Sequence, residues 1–378
     1  MGDLFADPNA QEHEYQALAR KYRPQNFEDV VGQEAVKSAL ANTLDSKRLH
    51  HAYLLTGTRG IGKTTIARII AKCMECEEGI SSHPCGRCQA CQEITSGVFP
   101  DVIEIDAASQ TKVEDTRDLL ENTRYPPVRG RYKIYIIDEV HMLTTSSFNA
   151  LLKTLEEPPA YVKFILATTD PQKIPMTVLS RCLKFQLMAL TRDEISAQIK
   201  KIAGAEGIPC EDEAAVLLAT AARGSMRDAL SLCDQAIALG SGSLKRECVQ
   251  AMLGNSGDDL LTKILDLLLE KEADLGEILE TVRRLAPDYK ALISSLVLVF
   301  HDLALYQFTG AQRLNIFASS STLLQNYAPR FTPDLLQIYY QTALEGVQEL
   351  SASPDAATVF DMILLRLLAF TPEKKKRG

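Results

Sequence analysis

Between residues 51 and 186 short apolar runs alternate with stretches of helical periodicity, and from Thr191 onward the strand-like runs stop. That order predicts an α/β fold, with a mostly parallel sheet wrapped by helices and all-helical regions behind it. Two patterns sharpen the reading. Gly57-Thr58-Arg59-Gly60-Ile61-Gly62-Lys63-Thr64 fits G-x-x-x-x-G-K-[ST], and Lys133-Ile-Tyr-Ile-Ile-Asp138-Glu139 is an apolar strand ending in two acids. At 378 residues the chain exceeds one ordinary domain. We expect a sheet domain over 1–190 with a cysteine-bearing insertion at about 73–95, a small helical domain over 191–254, and a second helical domain over 255–378.

Composition bounds the partners. The chain is 46% hydrophobic and 24% charged with no tryptophan, as in soluble globular proteins. Met1 to Ala10 is acidic and polar without an apolar core, so no secretory signal is expected and the expected compartment is cytoplasmic. Ala291 to Phe308 is the greasiest stretch. Ser294, Ser295, His301 and Asp302 interrupt it, which suits a packed helix pair better than a membrane span. A formal charge of −8 argues against a broadly basic grip on nucleic acid, while leaving local stripes and helix N-termini available. Five of the nine cysteines fall in residues 73–91, and without an export signal that clustering favours a metal over disulfides.

Taken in order, residues 1–13 read as a loose leader. Tyr15 to Pro24 sets Arg20, Lys21, Tyr22 and Arg23 before a proline stop, either as a charged helix or as the edge of a pocket. Asp29 to Glu34 opens an amphipathic helix with Val36 and Leu40 on one face. His51 to Thr56 reads as a buried strand and Thr65 to Ala71 as a helix, so the glycine loop between them delivers phosphate to a helix N-terminus. In that loop the glycines allow close backbone approach, Lys63 bridges the outer phosphates of a nucleotide, and Thr64 offers its hydroxyl to Mg²⁺. Arg59 reads as exposed rather than catalytic.

Cys76, Cys85, Cys88 and Cys91 have the form C-x8-C-x2-C-x2-C, whose short gaps let thiolates turn back on one ion. Four thiolates suit tetrahedral Zn²⁺. Cys73 competes, as does His83 more weakly, but Cys73 continues the apolar face of the preceding helix and is left out. No general base accompanies the cluster, so the metal reads as structural.

Asp101 to Asp106 is a strand with acids at its ends, and a helix is expected from about Val113 to Asn122 before a turn at Tyr125-Pro126-Pro127. In the acidic strand Asp138 would hold Mg²⁺, commonly through water, and Glu139 would orient and deprotonate the attacking water. Ser146 to Glu156 is a helix ended by Pro158-Pro159. Lys163 to Thr169 is a buried strand finishing in hydroxyls, which either bond the water or γ-phosphate or simply cap the strand. Arg181, in Ser180-Arg181-Cys182, reads by itself as solvated or salt-bridged. Helices follow at 193–203, 212–222 and 225–239, with Arg227 near the start of the third, and polar linkers at 240–243 and 254–258. Leucine stripes carry helices from 258 to about 370, broad enough that part can serve subunit packing, and a basic tail follows at 374–377.

These residues resemble one family, the ATPase (γ/τ) subunit of the bacterial DNA polymerase III clamp loader. The strings that carry the likeness run from 18 to 235. They include Leu18-Ala-Arg-Lys-Tyr-Arg-Pro24, Phe27-Glu-Asp-Val-Val-Gly-Gln33, His50 through Thr64, Asp138-Glu-Val-His-Met-Leu143 and Asn149 through Pro159. Ala167 through Lys173, Ser180-Arg-Cys182 and Gly224 through Leu230 complete them. The resemblance implies a RecA-like AAA+ P-loop module with a zinc-binding insertion, a three-helix lid and a helical collar. It places adenine near Tyr22, Val30 and Val31, and nucleotide against the loop residues Gly57 to Thr64 with Thr65. It makes Thr169 a sensor of the γ-phosphate, with Thr168 the near miss, Arg227 a second sensor from the lid, and Arg181 an arginine finger for the neighbouring subunit. Cys76, Cys85, Cys88 and Cys91 are its zinc ligands.

The implied partners are δ, δ′ and further γ/τ copies in a five-membered ring, the sliding clamp and primer–template DNA, with no membrane. The implied work is ATP-driven opening and loading of the clamp within the polymerase holoenzyme. The chain stops where the long τ form continues, and so resembles the shorter γ-like core. Two alternatives stand beside this reading: a non-hydrolysing δ′-like subunit, and another AAA+ motor such as a branch-migration helicase.

Overall fold

A computed structural model describes residues 16–109, 122–253, 255–270, 274–285, 288–310, 321–353 and 355–370. The chain divides into two compact units, 1–249 and 250–378. In the first, β1 (Ala52–Thr56), β2 (Val102–Asp106), β3 (Lys133–Asp138), β4 (Val162–Thr168) and β5 (Leu183–Gln186) form one sheet in the order β2-β3-β4-β1-β5. Every neighbouring pair is parallel. Parallel strands need helical crossovers that cover both faces, so the inner strands β1, β3 and β4 are buried along nearly their whole length, while the edge strands β2 and β5 are more exposed.

Side-chain alternation divides the core accordingly. Tyr53, Leu55, Ile136 and Ile165 face one way and pack with Ile66, Ile69 and Ile70 of helix Lys63–Glu75 and Leu40 of helix Glu34–Asp45. Leu54, Tyr135, Ile137 and Leu166 face the other way, against Phe148, Leu151 and Leu155 of helix Thr145–Glu156. Thr144 caps that last helix by accepting the Ser147 N–H at 3.2 Å. The register sets Thr56 beside Thr168 and Asp106 beside Asp138. Polar strand ends therefore gather along the carboxyl edge of the sheet, where open α/β folds bind ligands.

Helices Arg192–Glu206, Asp212–Ala221 and Met226–Leu239 complete the first unit. Thr191 and Glu194 form a reciprocal capping box at the first of them, and Gly207 ends it in the left-handed conformation that a Cβ would strain. Ser225 caps the third by accepting the Asp228 N–H. The helix expected over 113–122 lies outside the described residues, apart from Asn122, which opens a single 3-10 turn to Arg124. The leader 1–13, Tyr15 and the basic tail lie outside them as well.

The second unit is helical throughout its described residues. Its helices are Asn255–Glu270, Leu275–Leu285, Tyr289–Thr309, Ser321–Tyr327, Pro333–Ala352 and Ala356–Phe370. Ile264, Leu268, Leu296, Phe300, Tyr339, Phe360 and Leu364 are central to its core. Two expectations are corrected here. Residues 255–258 are not a linker, because the periodicity of the leucines that follow carries the helix back over them. The apolar stretch 291–308 is one continuous helix rather than a pair, since serines on a helix bond back to their own carbonyls, as Ser294 and Ser295 do to Lys290 and Ala291. Helix Tyr289–Thr309 is long and apolar enough to cross a membrane by composition. Its Leu292–Leu296–Val299–Leu303 face is nevertheless packed inside the unit.

Leu54 is fully buried on β1, between β4 and β5. Leu54→Ala should destabilise the first unit by about 2–5 kcal/mol through lost burial and the cavity left behind. Urea denaturation followed by circular dichroism measures it; a loss below about 0.5 kcal/mol, the range of neutral surface changes, would contradict the packing described.

Candidate nucleotide site and cysteine cluster

The glycine loop leaves β1 at Thr56 and re-enters regular structure at Lys63, the first residue of helix Lys63–Glu75. Its glycines have steric reasons. Gly57 lies at φ +145°, and a Cβ there would stand 2.4 Å from Ile61 Cδ1 and 2.7 Å from the Leu187 carbonyl oxygen. Gly60, at φ +78°, would bring a Cβ to 1.9 Å from Ser225 Oγ. The loop thus packs directly on the start of helix Met226–Leu239, and the Arg227 N–H donates to the Gly60 carbonyl at 3.3 Å.

Lys63 is 5% exposed, and its Nζ donates to the carbonyls of Gly57 and Thr58 at 2.9 Å each. Burial pulls its pKa down, the Glu139 and Asp138 carboxylates hold it up, and Arg227 lowers it. Thr64 Oγ1 donates to Asp138 Oδ2 at 2.5 Å, so a hydroxyl and a carboxylate converge at the end of β3. Oxygen pairs of this kind are what Mg²⁺ takes from protein. Glu139 follows in the left-handed region at φ +47°, an uncommon conformation for a residue with a side chain and one found at functional sites. Its Oε2 accepts from the N–H and the Oγ1–H of Thr169, at 3.0 and 2.9 Å.

These groups surround a cavity of about 350 Å³. Arg59, Gly60, Ile61, Gly62, Lys63, Thr64 and Thr65 line its floor, and Asp138 and Glu139 its inner end. Tyr22, Val30 and Val31 supply an apolar wall, and Arg227 reaches in from the helical side. Gly57 and Thr58 are outside the lining and act through the carbonyls that hold Lys63. Arg59 is exposed and stands at the mouth. The Tyr22 hydroxyl donates to the Glu206 carboxylate, and that bond more than burial pushes its pKa up to about 12. Lys21 Nζ pairs with the same carboxylate, and the Leu18 N–H donates to Asp234, so the wall is strapped to two of the three helices behind it.

Arg23 also lines the cavity. Burial lowers its pKa most, then the cations Arg68 and Arg227, against the pull of Glu104 and Asp138. With Lys63 and Arg227 it makes three cations around one helix N-terminus, a field suited to a polyphosphate.

Cys76, Cys85, Cys88 and Cys91 bring their sulfurs within 4.8 Å of one another. The N–H groups of Cys85, Cys88 and Cys91 each point at the sulfur of the preceding ligand in the series, at 3.3–3.5 Å. The Cys88 N–H is the main reason the Cys85 thiol is lowered to about 7. Burial raises Cys76 and Cys91 instead. Backbone donors aimed at sulfur favour thiolates, and four thiolates at this spacing are compatible with zinc. Cys73 stands apart, fully buried, with its sulfur 3.7 Å from the Ser82 carbonyl.

Three family models match the chain in sequence: "DNA polymerase III, delta subunit" over 32–191, "DNA polymerase III clamp loader subunit, ATPase lid domain" over 194–242, and "DNA polymerase III subunits gamma and tau domain III" over 244–378. The chain is 43% identical over 359 residues to DNA polymerase III subunit gamma of Buchnera aphidicola subsp. Baizongia pistaciae, covering 93% of this chain and 96% of that one. It belongs to the gamma/tau subunits of DNA polymerase III. It is also 52% identical over 360 residues to subunit tau of Escherichia coli K12, covering 95% of this chain but only 56% of tau. The chain therefore spans about half the length of the tau proteins it matches. Among solved structures, the Thermotoga maritima RuvB Holliday junction branch migration motor is 24% identical with a TM-score of 0.47 over 66% of this chain and 80% of that one. A likeness at that level carries no argument about function.

Of the site residues expected for this gamma/tau chain, Gly57, Thr58, Thr169 and Arg181 are not in the cavity lining. Thr169 acts on it through Glu139. Arg181 Nη2 pairs with Glu156 at 2.9 Å, and Nη1 donates to the Thr177 carbonyl at 2.8 Å. Sequence reasoning gives Arg23 only as part of a stretch that could edge a pocket, without a role of its own, and misses Glu206. The signal for Arg23 was its place beside Tyr22 before Pro24; nothing local marks Glu206, whose partner is 184 residues away.

The cluster yields an expected outcome. Cys88→Ser should lower bound zinc, measured by elemental analysis of the purified chain, from about one ion to below about 0.2 per chain, since structural sites need all four ligands. Cys73→Ser should keep it. The reverse pattern would contradict the ligand set.

Proposed function

We propose that this chain is an ATP-driven motor subunit of a DNA polymerase III clamp loader. The observation that carries the reading is the convergence of Lys63, the Thr64–Asp138 pair, Glu139 and Arg227 on one cavity whose apolar wall is Tyr22, Val30 and Val31. ATP lies with its base on that wall and its phosphates along the Gly57–Thr64 loop, where unpaired helix N–H groups and Lys63 neutralise their charge. Mg²⁺, held at Thr64 and Asp138, would withdraw charge from the outer phosphates. Glu139 takes the proton of the attacking water, Thr169 steadies Glu139, and Arg227 carries the state of the phosphates to the lid.

Arg181 serves a different site. Its absence from the lining of its own cavity and its position just past helix Met176–Leu179 suit an arginine that completes the site of a neighbouring subunit. Hydrolysis then depends on assembly, which suits a ring containing δ, δ′ and further γ/τ copies that opens a sliding clamp and closes it on primer–template DNA. On this reading residues 1–190 are the RecA-like AAA+ domain, 191–254 the lid and 255–378 the collar, and the protein works in the cytoplasm. Zinc at Cys76, Cys85, Cys88 and Cys91 fastens an insertion too small to hold its own core. A δ′-like, non-hydrolysing role is disfavoured because Lys63, Thr64, Asp138 and Glu139 all stand around the cavity.

Two substitutions separate the parts of this reading. Lys63→Ala should weaken ATP binding at least about a hundredfold, or roughly 2.7 kcal/mol, in equilibrium titration. Binding at the wild-type level would remove the nucleotide assignment. Arg181→Ala should leave binding within about threefold while lowering ATPase turnover in the complex by about a thousandfold, the usual worth of an arginine finger. Normal clamp loading by that variant would remove the role in trans.

A further inference from the structure

Glu139 has a third neighbour that no part of the reading above uses. His141 lies in the single 3-10 turn Val140–Met142 that follows the acidic strand. The turn is closed by the Met142 N–H on the Glu139 carbonyl at 2.8 Å and the Leu143 N–H on the Val140 carbonyl at 3.1 Å. Together with the positive φ of Glu139, that closure folds the chain back and sets the imidazole beside the carboxylate two residues earlier. The His141 side chain is only 10% exposed.

His141 Nδ1 lies 3.3 Å from Glu139 Oε2 and 3.0 Å from Thr168 Oγ1. Thr168 is fully buried at the end of β4, and its Oγ1 also accepts the Asp170 N–H at 3.0 Å, so it is a fixed anchor for the ring. A carboxylate offers only lone pairs. With a hydrogen on Nδ1 the ring meets it as a donor; without one, two sets of lone pairs would face each other. A hydrogen on Nδ1 thus suits both neighbours, with the nearer Thr168 Oγ1 as its hydrogen-bond partner and the carboxylate in charge contact just beyond it. All of these contacts fall on one oxygen. Thr169 and His141 take Oε2, while Oε1 has no such partner among the described residues.

We propose that His141 is a positioning residue for hydrolysis, which together with Thr169 fixes Oε2 of Glu139 and leaves Oε1 for the attacking water. The inference rests on Glu139 being the base, as set out above. Thr168 bonds the imidazole, the imidazole flanks the carboxylate, and neither residue lines the cavity. His141 consequently acts on turnover rather than on binding.

The test is steady-state ATPase activity and equilibrium nucleotide binding of His141→Leu and His141→Asn, each in the assembled complex. Losing one contact to a charged group should lower kcat of His141→Leu on the order of ten- to a hundredfold, with nucleotide affinity unchanged within about twofold. His141→Asn, whose side-chain N–H₂ reaches the place of Nδ1, should recover most of the loss. Wild-type kcat in His141→Leu would overturn the inference alone. So would a joint loss of affinity, thermal stability and turnover that asparagine fails to rescue, because that is what a merely structural histidine gives. An unaltered complex that hydrolyses no ATP would overturn the proposed function, and this inference with it.

Discussion

Thr64 donates its hydroxyl to Asp138 across 2.5 Å, joining the first turn of one helix to the end of a strand 74 residues later. The contact exists because β1 and β3 end at the same level of a parallel sheet, with β4 between them in register with both. Slide either strand by one residue and its whole set of apolar side chains would change face. The hydrophobic core thus determines the alignment of the polar strand ends. The buried alternation of Leu54, Tyr135, Ile137 and Leu166 is what brings the hydroxyl to the carboxylate.

Around that fixed point the rest of the first unit is tied by polar contacts of long sequence separation. Tyr22 and Lys21 share the Glu206 carboxylate, and the Leu18 N–H meets Asp234, so the apolar wall of the cavity belongs mechanically to the helices that follow the sheet. Gly60 abuts Ser225 closely enough to admit no side chain. The cysteine module is tied in as well. Lys72, on the helix that follows the loop, is 2% exposed and donates to Gln25 Oε1 at 2.8 Å and Thr95 Oγ1 at 3.4 Å. A buried ammonium needs such partners, and these join the module's helix, Gln89–Ser96, to the residue after Pro24. Asp101, likewise buried, accepts from three successive N–H groups at Val128, Arg129 and Gly130, fixing the loop that leads into β3. Ordering of the cavity and ordering of its surroundings are one problem.

Much of this was legible in the sequence because it is local or periodic. The loop pattern, the apolar strands and the C-x2-C spacing each place chemistry within a few residues, and the helical region announces itself where the strand-like runs stop at Thr191. What escaped was long-range or merely ambiguous. Glu206 and Asp234 look like ordinary surface acids until the N-terminal segment lies against them. His141 reads as part of a string, and only the positive φ at Glu139 turns it toward the carboxylate. Residues 255–258 have the polarity of a linker, and the pull of the leucines after them outweighs it. Ser294 and Ser295 look like helix breakers in print, but both satisfy their hydroxyls within one helix.

Loop, sheet end and lid together make the cavity the proposed triphosphate site. A structure of the assembled complex with Mg²⁺ and a non-hydrolysable ATP analogue tests it most directly. The account predicts the base against Tyr22, Val30 and Val31, the outer phosphates at Lys63, and the metal at Thr64 and Asp138. Nucleotide bound elsewhere, or a metal held away from that pair, would contradict it.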